Sequence, residues 1–209
     1  GGWRLREAVP AAGAPMLVVG VHHAGVDRID EYAHTTDVYG GDPIGGKGDA
    51  FRDLLDLDLR PHIEAVYGST GFDGLIGSSM GGLSSLHIAH DRPGRYDFVA
   101  SLSGSLWFGR LGASNPAMQE LWTQSPPAGV VVYADSGGGD GGDGCTDPDG
   151  DGFFEDDPND ADGYCVTRGF VDALAAGGFT WGETLHHWHE PGAAHQEAAW
   201  AARVHRPLE

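Results

Sequence analysis

A serine lies at the centre of the segment 77–81, Gly-Ser-Ser-Met-Gly, which has the spacing G-x-S-x-G. The apolar pair Leu75–Ile76 precedes it and predicts a short strand, and a helix is predicted from Met80 to Asp91. A sharp strand-to-helix turn would expose the Ser79 hydroxyl as a nucleophile. The N–H group of Met80, at the helix start, could then stabilise a developing oxyanion. A glycine-rich turn without chemistry is the alternative.

A base and an acid would complete a catalytic triad around this serine. Among 11 histidines, His195 lies after the last predicted strand and before the last predicted helix, where the order Ser, acid, His places the base. The acid should follow the strand predicted at Val130–Tyr133, and Asp135, Asp140 and Asp143 are candidates there. Each of the three could instead be an ordinary turn former.

A His-x-His pair, His187 and His189, offers a different chemistry. Two imidazoles on one face of a strand could bind a metal ion. No third ligand is obvious beside them in the sequence, so we expect both to be packing or surface residues.

A second candidate site is the acidic stretch 147–162, which has eight carboxylates and no basic residue. Its first part has D-x-D-x-D-G spacing, which brings carboxylates together around a hard cation. Position 12 of the EF-hand pattern is Pro158 instead of Glu, so the stretch is more similar to the short calcium repeats of thrombospondin type 3 domains. A solvated acidic loop is the alternative. The predicted calcium ligands are Asp147, Asp149, Asp151, the Phe153 carbonyl and Glu155.

Cys145 and Cys165 lie on either side of this acidic stretch. We predict a disulfide between them, closing an insertion at about 141–165, since the segment has too few apolar residues to bury two free thiols. Such a bridge would contribute about 3 kcal/mol and indicates a secreted or periplasmic protein.

The overall charge excludes several classes of partner. The 209 residues contain 31 acidic and 12 Lys or Arg residues, for a formal charge of -19. Phosphate backbones and anionic lipid surfaces would repel such a chain, so we expect no nucleic-acid or membrane-surface binding. No run of apolar residues is long enough to span a bilayer. The expected cofactor is structural calcium, and no organic cofactor is expected.

The predicted elements that must position these residues alternate between short apolar strands and helices. This pattern predicts a single α/β domain, residues 1–209, with a mostly parallel sheet and helices on both faces. Strands are predicted at Met16–Val21, 75–76, 98–102, 130–133 and 180–189. Helices are predicted at 3–9, from 49 to about 67 in two parts, and at 80–91, 116–122, 166–176 and 196–204.

Several motifs resemble, in order, those of the putative-esterase family of α/β-hydrolases, which includes enterochelin esterase, esterase D and feruloyl esterases. The resemblance rests on the serine motif and on segments that span most of the chain. These segments are 18–21 with Arg28 and Glu31-Tyr32, 45–49 with 59–61, 103–107, 135–140, and Gly192-Ala-Ala-His195 followed by Trp200 and Arg203.

The resemblance implies an α/β-hydrolase fold that lacks the family's first strands, because only a helix-like stub precedes Met16. A missing N-terminal segment of the same protein would then be a partner of this chain. The resemblance also ranks Asp140 first as the acid and Asp143 second, with Asp135 capping a turn. We expect Trp107, His22 and Ser78 to line the substrate pocket; a core role is the alternative for Trp107.

The predicted activity is hydrolysis of a carboxylic ester through an acyl-enzyme intermediate, with the triad Ser79, His195 and Asp140. The substrate would be a small-molecule or polymer ester. An acyltransferase with the same triad is one alternative. A non-catalytic calcium-dependent binding module on a hydrolase scaffold is another, and labelling of Ser79 by a fluorophosphonate would separate the two classes.

Overall fold

The computed structural model describes residues 2–11, 13, 15–69, 71–139, 145–147, 150 and 162–209. The strands are β1 (Thr36–Tyr39), β2 (Asp42–Gly45), β3 (Gly74–Ser78), β4 (Phe98–Leu102), β5 (Val131–Ser136) and β6 (Leu185–His189). The helices are α1 (Leu5–Ala11), α2 (Arg28–Tyr32), α3 (Gly48–Asp53), α4 (Arg60–Tyr67), α5 (Met80–Asp91), α6 (Met118–Gln124), α7 (Tyr164–Ala176) and α8 (Glu197–Arg203). A π-helical stretch, Leu54–Leu59, joins α3 to α4.

The central sheet has four parallel strands in the order β3-β4-β5-β6. Leu102 pairs with Ser78 on one side and with Asp135 on the other, so the carboxyl ends of these strands are level. Ligands and reacting groups of open parallel sheets gather at this edge. The parallel sheet confirms the predicted fold class.

Helices cover both faces of the sheet, as predicted, because successive strand residues point to opposite sides. On one face Val99 and Val132 pack with the apolar residues of α5, α6 and α7. On the other face Ala100 and Tyr133 pack with Trp200 of α8 and with α1. Helices α7 and α8, which follow the acidic stretch and β6, therefore lie on opposite sides of the sheet.

The prediction of a buried strand at Met16–Val21 was wrong. Residues 15–24 have no regular secondary structure, and Leu17 and Val18 are 48% and 46% exposed. A strand needs a neighbour for its backbone hydrogen bonds, and apolar composition alone does not supply one. This segment, α4 and residues of all four sheet strands line an open, mostly apolar cavity of about 960 Å³.

A β-hairpin of β1 and β2 lies in a stretch for which we predicted only polar, glycine-rich chain. Its buried Asp37 accepts hydrogen bonds from the backbone N–H groups of Gly109, Leu111, Gly112 and Ala113 at 2.7–3.1 Å. One carboxylate thus fixes the loop that follows Trp107.

The remaining predicted elements agree with the structure apart from their ends. Helix α1 begins at Leu5 and includes Pro10, which we expected to stop it. The last strand begins at Leu185 and not at Thr180, since Thr180 and Thr184 form a turn closed by backbone hydrogen bonds.

Candidate active site

Ser79 lies in the turn between β3 and α5, as the motif predicted. Its backbone has φ 56° and ψ -127°, a conformation that L-residues rarely adopt. The neighbouring strand holds this turn, because Ser79 N–H donates to the Leu102 carbonyl at 3.0 Å and Ser105 N–H donates to the Ser79 carbonyl at 3.2 Å. A strained residue fixed by its surroundings is typical of a functional position.

Gly77 makes the turn possible because no side chain fits at this position. A Cβ atom there would lie 2.0 Å from the backbone oxygen of Gly81. The first turn of α5 therefore packs directly on the last residues of β3. This close approach places Ser79 and the start of a 12-residue helix at the carboxyl edge of the sheet.

The Ser79 side chain is half-buried, and its Oγ lies 3.5 Å from the Oγ of Ser105. Met80 is the first residue of α5, where backbone N–H groups have no acceptor within the helix. The Met80 side chain is buried in the main core, which holds this end of the helix in place. The predicted oxyanion donor is thus at a helix N-terminus.

His195 forms a hydrogen-bonded pair with Asp162. Its Nδ1 lies 2.7 Å from Asp162 Oδ1. The imidazole keeps 37% of its accessible surface, whereas the Asp162 side chain keeps 1%. A carboxylate can only accept, so the neutral imidazole carries its proton on Nδ1 and leaves Nε2 free to take another. This is the tautomer that a general base needs.

Trp200 limits the motion of the His195 ring. The two rings are in edge-to-face contact, with centroids 5.0 Å apart and an interplanar angle of 85°. Trp200 is buried on α8, so the histidine lies between a fixed carboxylate and a fixed aromatic ring.

Three further groups donate to Asp162 Oδ2. Ser103 Oγ donates at 2.7 Å, and the N–H of Gly137 also donates to this oxygen. Arg203 Nη2 lies 3.4 Å away. Both carboxylate oxygens are therefore occupied, as a buried charge requires.

Asp135 has a different role from Asp162. It is fully buried and accepts hydrogen bonds from Ser103 N–H and the Tyr133 hydroxyl, each at 3.1 Å. Arg203 Nε lies 3.0 Å from its Oδ1. Burial raises the pKa of Asp135 to about 6, although Arg203 acts in the opposite direction. Its hydrogen bonds connect it to Ser103 and Tyr133 and its ion pair to Arg203, and none of these contacts is with His195.

The residues predicted to line a pocket are in varied surroundings. Ser78 is half-buried at the end of β3. Trp107 is half-buried, packs against the main core and contacts Phe108 with ring centroids 6.2 Å apart. His22 is exposed in the irregular segment 15–24.

The histidines of β6 are packing residues here. Burial lowers the pKa of His187 to about 4, and His189 Nδ1 lies 3.3 Å from Ser136 Oγ. Within the part of the chain that the structure describes, the group close enough to share a metal ion is a different one, Asp49, His87 and Asp91. Arg52 Nη1 contacts both carboxylates of that group, at 2.7 and 2.6 Å, and supplies its positive charge.

The predicted disulfide between Cys145 and Cys165 is confirmed, with Cα atoms 5.3 Å apart. It ties the start of α7 to the beginning of the acidic stretch. Asp147 Oδ1 accepts a hydrogen bond from Gly150 N–H at 2.8 Å, which forms a tight turn. The other predicted calcium ligands, Asp149, Asp151, Phe153 and Glu155, lie outside the described residues.

Comparisons with known proteins identify the family of this chain. A profile of the family described as "Putative esterase" matches residues 9–206. The chain belongs to this esterase family. The match confirms the predicted family, and with it the class of hydrolases to which the serine motif pointed.

Several solved structures share the fold. The enterobactin esterase from Shigella flexneri has a TM-score of 0.56 and 17% identity, over 77% of this chain and 37% of its own length. An IroE-like serine hydrolase from Shewanella oneidensis has a TM-score of 0.63 and 18% identity, over 88% of this chain and 56% of its own. The BES protein from Bacillus cereus has a TM-score of 0.61 and 14% identity, over 89% and 63%. The chain thus spans less than two thirds of each of these structures.

Asp140, which the family resemblance ranked first as the acid, and Asp143 lie outside the described residues. Asp162 was counted only as one carboxylate of the acidic stretch. Its contact with His195 gives the chain order Ser79, Asp162, His195, which is the order expected for this fold. The sequence pattern did not distinguish Asp162 from the other carboxylates of the acidic stretch.

The described helices include none that is both long and apolar enough to cross a bilayer.

Proposed function

We propose that this chain is a carboxylic-ester hydrolase with the triad Ser79, His195 and Asp162. The contact of 2.7 Å between His195 Nδ1 and the buried Asp162 carries the proposal, together with the strained turn that presents Ser79. Membership of an esterase family supports the reaction type. Asp162 replaces Asp140 in the proposal because it makes the contact that the acid of a triad requires.

The reaction begins with attack by Ser79 Oγ on the ester carbonyl carbon, while His195 Nε2 takes the hydroxyl proton. The N–H of Met80 donates to the oxyanion that forms. The C–O bond to the alcohol then breaks, and His195 returns the proton to the leaving oxygen. Water, deprotonated by the same histidine, releases the acid from the acyl-enzyme.

Asp162 has two effects on this reaction. It fixes the His195 tautomer, and its negative charge stabilises the imidazolium that forms in each step. Burial strengthens both effects, because water competes little for hydrogen bonds to a carboxylate that is 1% exposed. Ser79 and His195 share no hydrogen bond among the described contacts, so the bond between Oγ and Nε2 has to form as the substrate binds.

Conservative amide variants test the assignment of the acid. We expect D162N to lower kcat for p-nitrophenyl acetate by about 10⁴-fold, since the amide favours the wrong histidine tautomer. D172N changes an exposed carboxylate on α7 and should leave kcat unchanged. A loss in D140N, with D162N close to the wild type, would make Asp140 the acid and refute the assignment of Asp162.

We also infer a structural calcium ion in the acidic insertion. The D-x-D-x-D-G spacing, the turn at Asp147 and the disulfide that closes the insertion support it. Carboxylate and carbonyl oxygens are the ligands that calcium prefers, and the ion would offset repulsion among eight carboxylates. The ion would take no part in the chemistry; it would order the segment that leads to Asp162. The disulfide further supports an oxidising location, secreted or periplasmic.

The substrate class is proposed only as an ester with an accessible carbonyl group. His195 is exposed and Ser79 is half-buried, so the reacting groups are open to solvent. Rates for p-nitrophenyl esters of increasing acyl length, beside a feruloyl ester, would measure acyl preference. Added alcohol as an acceptor would distinguish hydrolysis from acyl transfer.

A further inference from the structure

Arg203, the last residue of α8, lies between two buried carboxylates. Its side chain is 2% exposed, and those of Asp135 and Asp162 are 0% and 1% exposed. Arg203 Nε is 3.0 Å from Asp135 Oδ1, and Nη2 is 3.4 Å from Asp162 Oδ2. One guanidinium therefore faces two carboxylates that come from different parts of the chain.

This cluster has one positive charge for two negative ones. Burying an unpaired charge is costly, so neutral hydrogen-bond donors must stabilise the carboxylate charge that the guanidinium does not balance. The Tyr133 hydroxyl and Ser103 N–H serve Asp135, and Ser103 Oγ and Gly137 N–H serve Asp162. Burial raises the pKa of Asp135, and Arg203 and these hydrogen-bond donors lower it. Arg206 lies over the Trp188 ring.

Ser103 connects the cluster to the histidine pair. Its Oγ donates to Asp162 and accepts from Trp200 Nε1 at 3.1 Å and from Arg203 Nη2. A hydroxyl has one donor and two acceptor sites, so all are used. Ser103 also has φ 47°, which its N–H bond to Asp135 helps to hold. Two residues of α8 thus fix the position of Asp162 through one hydroxyl.

We propose that Arg203 is a positioning residue of the triad: it holds Asp162 against His195 and sets the electrostatic field at that pair, while Asp135 offsets part of its charge. The inference rests on the proposed function of Ser79, His195 and Asp162. Arg203 acts through Asp162 and has no contact with the reacting atoms.

Removing Arg203 and removing Asp135 should shift the pKa of the His195–Asp162 pair in opposite directions. Arg203 disfavours a positive imidazolium, so R203M should raise the pKa of the pair by about one unit. D135N leaves the Arg203 charge without its second carboxylate and should lower that pKa. The double variant R203M/D135N removes both charges, so its pKa should lie between those of the two single variants.

The experiment is an NMR titration of His195 in the full chain with ¹⁵N-labelled histidine, with H195Q used to assign the signal. It is carried out on wild type, R203M, D135N and the double variant. R168M is the matched control, because Arg168 pairs with Asp172 on the exposed side of α7 and should leave the titration unchanged. In parallel, kcat/KM should fall about 100-fold in R203M, as expected for a misplaced catalytic group.

Shifts of opposite sign in R203M and D135N, with an intermediate pKa in the double variant, would support the proposal. Shifts of the same sign, or a His195 pKa unchanged in R203M, would overturn it. If R203M does not fold, R203Q serves instead: its amide removes the charge but keeps hydrogen-bonding atoms, and the His195 pKa should again rise. The titration needs no turnover. If the variants show the expected pKa shifts but the wild type hydrolyses no ester, only the proposed function is refuted.

Discussion

Ser79 has a backbone conformation that costs free energy. At φ 56° and ψ -127°, a residue with a Cβ atom has a strained backbone, whereas glycine has no Cβ atom and adopts this conformation freely. The local motif made this residue predictable, because glycines on both sides of a serine between a strand and a helix indicate this turn. His195 was predictable for a similar reason, as it follows the last strand.

The strain at Ser79 gives a stability prediction. We expect S79G to have a free energy of unfolding about 1 kcal/mol higher than S79A, since glycine removes the strain at this φ. Urea unfolding of both variants measures it. S125G is the control, because Ser125 has φ -145° and glycine there should lower stability. S79G no more stable than S79A would mean that the turn is unstrained.

Asp162 could not be predicted from spacing. The insertion separates it from β5, and its partners Ser103, Gly137, His195 and Arg203 come from four different segments. Contacts of this kind depend on how elements pack, and the sequence pattern of a loop does not report them.

Asp135 gives a pH-dependent prediction. Its pKa is about 6 when folded, against 3.8 as the ordinary value, so the folded state holds a proton that the unfolded chain has released between these values. Its contribution to stability therefore decreases as pH rises through this window. Relative to D135N, the wild type should lose about 2 kcal/mol of unfolding free energy from about pH 4.5 to about pH 7. A difference between the two proteins that does not vary with pH would contradict the raised pKa.

At the scale of elements, the turn from β3 to α5 depends on direct backbone contact. G77A would place a Cβ 2.0 Å from the Gly81 oxygen, and we expect it to lower the free energy of unfolding by about 3 kcal/mol or more. Gly20 has open space around its Cβ position, so G20A should change stability by less than about 0.5 kcal/mol. Equal effects in urea unfolding would refute the packing argument.

The segment Met16–Val21 shows the limit of pattern reasoning for an element. Its apolar run is typical of a buried strand, yet a strand forms only where another offers a hydrogen-bonding edge. Four other strands were predicted correctly because each has such a neighbour in the sheet. Periodicity indicates which residues avoid water, but it does not indicate whether a neighbouring strand is present. The expectation of further strands before Met16 stays a prediction.

At the scale of the whole molecule, the acidic stretch supplies eight negative charges, and the rest of the chain carries -11 of the formal charge of -19. If this stretch binds calcium, the ion stabilises the folded state by mass action, by about 2.7 kcal/mol at 100 times the dissociation constant. Removal by EDTA should then lower Tm by about 5 to 10 °C. Added calcium should reverse the change, and D149A should show no response. A wild-type Tm that EDTA leaves unchanged would refute the calcium proposal.

The central claim is that Ser79 is the nucleophile of a serine esterase. The direct measurement is reaction of the intact protein with a fluorophosphonate, followed by mass spectrometry of its peptides. We predict one adduct, on Ser79, that is absent in S79A and retained in S125A, whose serine is exposed at the end of α6. An adduct that persists in S79A, or a folded wild type with no adduct, would contradict the claim, and the second result would favour a non-catalytic binding module.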